Sequence, residues 1–293
     1  MTLVVLVIVA TLAGLAAGAI AWRWAGVAGA PRTEAAVARS RWARRLDPQA
    51  ATGLALTLAF VVIVLGGLVL AILASLVRGK TEVVRIDSGV AEWGARDASS
   101  FTTDVLTAIT HVGEPTVVIA LAAVVAVAET IRTRSRWVIP FMALVVAGNG
   151  LITTTIKQLA DRARPPLNPI AESLGPSFPS GHSSWSAAFL AATALLATRG
   201  RSRRARTLIV ATCAAAAVSI AATRVLLGVH WLSDVIAGLG LGSAWFCVCA
   251  IACGGRLLRF GAPAEEAERK HDSSVAAGAG GGVSPSPIRL RSE

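Results

Sequence analysis

The stretch WVIPFMALVVAGNGLITTTIKQLADRARPP, Trp137–Pro166, decides the fold. Its first twenty residues carry no charge and are mostly apolar or small, the length a helix needs to cross bilayer hydrocarbon. Its last ten, from Lys157 onward, hold four charged residues and two prolines, so an apolar span here runs into a polar cluster. Working outward, six further apolar runs cover about 3–21, 50–77, 115–131, 183–198, 207–227 and 231–253. With 137–156 they make seven candidate spans.

Composition agrees with that reading. Of 293 residues 54% are hydrophobic and 15% charged, against the roughly one quarter charged in a soluble domain; mean hydropathy is +0.65. The expected fold class is all-α, a polytopic membrane helix bundle. The formal net charge of +11 does not imply nucleic acid, because the arginines collect in short connections between spans. The 22–49 segment carries Arg23, Arg32, Arg39, Arg41, Arg44 and Arg45; 132–136 carries Arg132, Arg134 and Arg136; 199–206 carries Arg199, Arg201, Arg203, Arg204 and Arg206; Arg256 and Arg259 follow the last span. Such connections are cytoplasmic by the positive-inside rule and suit anionic lipid. Trp22, Trp24, Trp137 and Trp231 fall near span ends, where amphipathic rings settle. No basic residue precedes the first span and several follow it, the reverse of a secretory signal, so a retained helix with its N-terminus outside is expected. Three regions result: an N-terminal helix and basic segment over 1–49, a six-span core over 50–260, and a disordered cytoplasmic tail over 261–293, rich in Gly, Ser and Pro and unable to bury a core.

Three polar clusters interrupt the spans, and the alternation of connections brings all three to the extracytoplasmic side. In KQLADRARPP, Lys157, Asp161 and Arg164 have helical-face spacing, read alone as an interfacial helix end with Lys157 paired to Asp161 and arginines reaching water. Pro165 disfavours helix at Arg164 and presents it from a turn. In PSGHSS (179–184), Ser180, Gly181 and His182 precede a helix whose free N–H groups attract an anion. In TRVLLGVHWLSD (223–234), His230 and Asp234 lie four apart, so that on a helix the carboxylate would fix the imidazole tautomer and leave the other ring nitrogen to attack; Arg224 lies just before them. Cations, a helix N-terminus, a hydroxyl and two histidines with one carboxylate match what phosphoryl transfer requires.

Taken in order, Lys157-x6-Arg164-Pro165, Pro179-Ser180-Gly181-His182 and Arg224-x5-His230-x3-Asp234 resemble the three-part signature of the phosphatidic acid phosphatase type 2 superfamily, which also includes bacterial acid phosphatases and vanadium haloperoxidases. The resemblance covers about residues 50–255; Thr223 stands where the third motif usually begins with Ser, and the first span lies outside the pattern. It implies a phosphohistidine formed on His230 and oriented by Asp234, with His182 as proton donor to the leaving group. Lys157, Arg164 and Arg224, with Ser180 and the Gly181 N–H, would cradle the phosphate, with no metal or other cofactor. The implied substrate is a membrane lipid phosphate or pyrophosphate such as undecaprenyl pyrophosphate, phosphatidate or phosphatidylglycerol phosphate, met at the outer face of the cell membrane. A phosphotransferase using the same site and an anion transporter are the alternatives. Cys213, Cys247, Cys249 and Cys253 lack ligand or disulfide spacing and read as packing residues. His111 reads as a surface residue, His271 lies in the tail, and the 78–114 segment is expected to form short amphipathic structure outside. Oligomeric state is not legible.

Overall fold

The computed structural model describes residues 1–29, 82–96, 99–167 and 175–257, and the regular structure among them is entirely helical. Eight helices occur among the described residues: α1 Thr2–Gly29, α2 Glu82–Arg96, α3 Ser100–His111, α4 Pro115–Thr133, α5 Val138–Ala160, α6 Gly181–Ala197, α7 Arg203–Leu226 and α8 Leu232–Leu257. Five segments, Thr2–Arg23, Pro115–Thr133, Val138–Ala160, Arg203–Leu226 and Leu232–Cys253, are long and apolar enough to cross a membrane. The architecture is the expected all-α, multi-pass membrane bundle. The expected span at 50–77, the basic residues beyond position 29 and the tail from 261 lie outside the described residues.

Helix α6 is the axis of the bundle. Its 17 residues reach about 26 Å, slightly less than hydrocarbon thickness, and it packs against α4, α5, α7 and α8. Lipid tails are as apolar as leucine, so helices in a membrane associate through close fit of small residues and interhelical hydrogen bonds. Here α6 offers Ser183, Ser184, Ala187, Ala188 and Ala192, all buried. Opposite them α8 places two glycines one turn apart. A Cβ on Gly238 would lie 2.5 Å from the Ser180 carbonyl oxygen and 2.9 Å from Ser183 Cβ, and one on Gly242 would fall on the Ser184 carbonyl. Only bare backbone lets α8 approach so near.

Two more glycines notch α5. The six-membered ring of Trp245 fills the space beside Gly148, and that of Trp185 the space beside Gly150; the Trp245 Nε1–H donates to the Val145 carbonyl at 3.1 Å. Phe141, Val145, Phe189 and Leu196 complete this part of the core. Helix α1 lies antiparallel along α7. Gly14 and Gly18 rest against Ala211, Ala215 and Thr207, Leu6 packs with Leu106 and Leu226, and at the opposite end Arg203 stacks 3.8 Å from the Trp22 ring centroid and donates to its carbonyl.

The segment 78–114 forms two short helices in its described part, across the bundle end where α5, α7 and α8 meet. Val83 packs beside Ala160 and Phe178, and Val90 beside Ala221, Val225 and Val235. Helix α3 is capped by Ser99, whose hydroxyl accepts from the Thr102 N–H. His111 is a surface residue as expected, paired with Glu114 at 2.6 Å.

Candidate active site

The three polar clusters meet at this same end. Helix α5 runs through Lys157, four residues longer than expected, and stops because Asp161 takes a left-handed conformation (φ 41°) and returns its N–H to the Lys157 carbonyl, a geometry Asp tolerates better than most residues. Asp161 is therefore not on a common helical face with Lys157 and Arg164, and the Lys157–Asp161 pairing does not form. Lys157 Nζ donates instead to the Pro176 carbonyl at 2.7 Å. Arg164 is presented from the extended segment before Pro165, as expected. Its guanidinium holds the Gly175 and Val229 carbonyls, each at 2.8 Å, and lies 3.1 Å from His230 Nε2.

Ser180 is the residue before α6, yet its hydroxyl does not cap the helix; it accepts from Ser183 at 2.9 Å. The Ser180 N–H donates to the Asp234 carbonyl at 3.0 Å, which fixes the start of α6 against the start of α8. A Cβ on Gly181 would stand 3.9 Å from Lys157 Cε, so the ammonium arm crosses the α6 N-terminus. His182 follows, close enough to Arg224, His230, Lys157 and Arg164 for their charges to act on it.

His230 and Asp234 do not share a helix as their spacing suggested. Helix α8 starts at Leu232, and His230 sits in the preceding turn, where its N–H and that of Val229 both donate to the Arg224 carbonyl. Gly228, with φ +66°, allows that reversal. The pairing survives across the helix start: His230 Nδ1 lies 3.4 Å from Asp234 Oδ2, and both side chains are buried. The same Oδ2 accepts from the Ser177 hydroxyl at 2.6 Å and the Trp231 N–H at 3.0 Å. With Nδ1 as the donor to Asp234, Nε2 keeps its lone pair. Burial drives the His230 pKa down from 6.5 to about 4, against the raising effect of Asp234 and with a further lowering by Arg164 and Arg224.

That shift has a sign for stability. Between about 6.5 and about 4 the unfolded chain binds a proton at this position that the folded one refuses, so stability falls as pH falls. Melting of the detergent-solubilised protein is expected to drop steadily across this window, with a shallower slope in His230→Ala; equal slopes would show that His230 does not titrate this way.

Arg224 lies at the buried end of α7 and donates to Thr110 of α3 at 2.9 Å, while its Nε–H has no hydrogen-bond partner among the described residues. Buried donors are rarely left so, and one beside two other cations, Lys157 and Arg164, suits an anion. Thr223, buried beside it, bonds back to the Ile220 carbonyl at 2.6 Å, so its hydroxyl is occupied locally. All eight expected site residues are thus brought together. Sequence reasoning missed Arg162, Asp87, Ser233, Ser177 and Thr110. Arg162 was in plain view within the first cluster, two residues before Arg164, but read as solvent-reaching; it is largely enclosed, held between the carboxylates of Asp87 and Asp234. Among the described residues no group of three or more His, Cys, Asp or Glu could hold a metal ion.

A helical membrane bundle with a histidine–carboxylate pair and four cations at one end defines the class. Residues 139–256 match the family model of the PAP2 superfamily. Relatives include the lipid A 1-phosphatases of Rhizobium johnstonii, 38% identical over 120 residues (38% of this chain, 45% of the relative), and Rhizobium etli, 36% identical (38% and 47%). The phosphatidylglycerophosphatase B of Bacillus subtilis is 29% identical over 145 residues, 49% of this chain and 71% of that protein. The chain spans about half the length of the lipid A 1-phosphatases it matches. The crystal structure of a transmembrane PAP2 type phosphatidylglycerolphosphate phosphatase from Bacillus subtilis shares the fold, with a TM-score of 0.59 at 23% identity over 64% of this chain and 92% of that one.

Proposed function

We propose that the protein is an integral membrane lipid phosphatase working through a phosphohistidine at the extracytoplasmic face. The observation that carries this reading is the state of His230: Nδ1 is committed to Asp234, while Nε2 is directed at the Arg164 guanidinium. A phosphoryl group held by Arg164 would lie within reach of that nitrogen. Nε2 attacks phosphorus, the P–O bond to the lipid breaks, and His182 protonates the departing oxygen. Water, giving a proton to His182, then attacks the phosphohistidine; inorganic phosphate leaves and both histidines return to their starting state. Lys157, Arg164 and Arg224, with Ser180 and the Gly181 N–H, spread the charge of the equatorial oxygens. No step calls for a metal.

A site at the bundle end suits a substrate whose tails stay in the bilayer while its phosphate enters. The names of the relatives favour a phosphorylated lipid with two or more acyl chains, such as phosphatidylglycerol phosphate, phosphatidate or a lipid A-like disaccharide; undecaprenyl pyrophosphate is a further candidate. The arginine-rich connections at the opposite end favour an outward-facing site, and the regions 1–49, 50–260 and 261–293 remain our division of the chain, with the first span an addition to the phosphatase core. The test is phosphate release by purified protein in detergent from a panel of these lipids, with and without EDTA. Quenched mixtures with labelled substrate are expected to contain acid-labile, base-stable phosphoprotein. Failure to release phosphate from any lipid in the panel, together with no labelled protein, overturns the reading.

A further inference from the structure

Asp87 belongs to α2, outside the three motifs, yet it is 1% exposed. It lies on the inward stripe of an amphipathic helix with Val83, Val90, Ala91 and Gly94. An aspartate there is expensive to bury unless fully bonded, and it is. Its Oδ1 accepts the Ser233 N–H at 2.9 Å, near the open N-terminus of α8; its Oδ2 accepts the Ser233 hydroxyl at 2.5 Å and Arg162 Nη2 at 2.8 Å. Arg162 turns its other nitrogen, Nη1, to Asp234 Oδ1 at 2.5 Å and to the Ser233 hydroxyl at 2.8 Å. It also lies 5.3 Å from the Trp231 ring centroid. A chain of charge therefore runs Asp87–Arg162–Asp234–His230.

The geometry points to Asp87 and Arg162 as positioning residues for the nucleophile, acting through Asp234. This inference rests on the reading of His230 as nucleophile. The guanidinium fork occupies one oxygen of Asp234 and leaves the other for the imidazole, setting the carboxylate plane. Alone, Arg162 would also draw off the negative charge that Asp234 must present to His230. Asp87 offsets that: with a carboxylate on each side of the cation, Asp234 keeps its hold on the imidazole and on the imidazolium-like charge that develops as Nε2 attacks. The arrangement resembles the outer partners of ligating histidines, whose loss lowers activity about 10- to 100-fold.

The charged groups around His230 are Asp234 on α8, Arg162 and Arg164 beyond α5, Lys157 on α5, His182 on α6 and Arg224 on α7; Glu114, before α4, acts on Arg224. Removing the charge of Asp87 leaves Arg162 less compensated, so the protonated form of His230 is disfavoured and Nε2 is a poorer nucleophile. The experiment compares wild type, Asp87→Asn, Asp87→Ser, Asp87→Glu and His230→Ala in detergent, with dioctanoyl phosphatidate as probe, from pH 2.5 to 9. Asp87→Asn keeps an acceptor for the Ser233 N–H while removing the charge, and Asp87→Ser removes the charge with a shorter side chain. Both charge-removing variants are expected to lower kcat about 10- to 100-fold with KM little changed. They should also move the acid limb of kcat/KM to lower pH by about half a unit. Asp87→Glu should recover most of kcat and leave the limb in place.

Charge-removing variants that fold with unchanged kcat and limb overturn the proposal. So does a kcat loss with no movement of the limb, which would mark a structural part alone, and so does failure of both to yield monodisperse helical protein. An inactive His230→Ala beside a wild-type-like Asp87→Asn defeats this inference and spares the functional reading. An active His230→Ala defeats both.

Discussion

Replacing His230 by Ala is expected to abolish phosphate release, lowering kcat by about 10⁴-fold or more, the scale on which losing a covalent nucleophile acts. The protein should remain folded. His230 forms its Asp234 bond at 3.4 Å, longer than a strong charge-assisted bond, and Asp234 keeps Arg162, Ser177 and the Trp231 N–H as partners. Truncation therefore leaves no orphaned buried charge, and the gap it opens adjoins groups that can hydrogen-bond water. The measurement is single-turnover phosphate release, with trapping of labelled protein in parallel. A variant that still forms phosphoprotein would move the nucleophile elsewhere, with His182 the first alternative.

The second large effect is expected from Gly242→Val. The first atom of any side chain there falls on the Ser184 carbonyl of α6, main chain that cannot swing aside. Helices α6 and α8 must separate, and they carry the two halves of the site: His182 at the start of α6, and Asp234 in the first turn of α8 just after His230. Overpacking of this kind costs about 3 kcal/mol, or roughly 10 °C in melting temperature for a domain of this size. The displacement should also lower kcat by about 100-fold, as a 1 Å misplacement of reacting groups does. A thermal shift in detergent and a rate on the same preparation check both; an unchanged melting temperature would mean the helices are not packed this closely.

Much of this was legible in the chain. The apolar runs announced the spans because bilayer hydrocarbon imposes a length and a composition, and the alternation of arginine-rich connections brought three motifs to one end. Helix ends were less legible, because they depend on single backbone conformations. Asp161 could have continued α5 or ended it, and a left-handed φ chose the end. His230 could have opened α8, but the Arg224 carbonyl captured its N–H and held it in a turn. The second layer of the site was the least readable. Arg162 looks in sequence like any interfacial arginine, since enclosure between Asp87 and Asp234 is a property of three separated segments. Asp87 left one local trace, a carboxylate on the apolar stripe of an amphipathic helix, where charge is costly without a partner. Spacing gave no sign that this partner lies 75 residues onward.

The tryptophans seated beside Gly148 and Gly150 carry a consequence for how such sequences diverge. Each pair is a volume shared between two helices: what position 148 gains, position 245 must give up, and likewise 150 and 185. Neither member is free to drift alone, since a methyl on α5 would meet an indole ring with no room to retreat. Among natural variants of this chain the two pairs should therefore change together, small with large, and a swap across one pair should be tolerated where either single change is not. The bundle's history would then be written in coupled exchanges between α5 and its neighbours, at positions far from the phosphate.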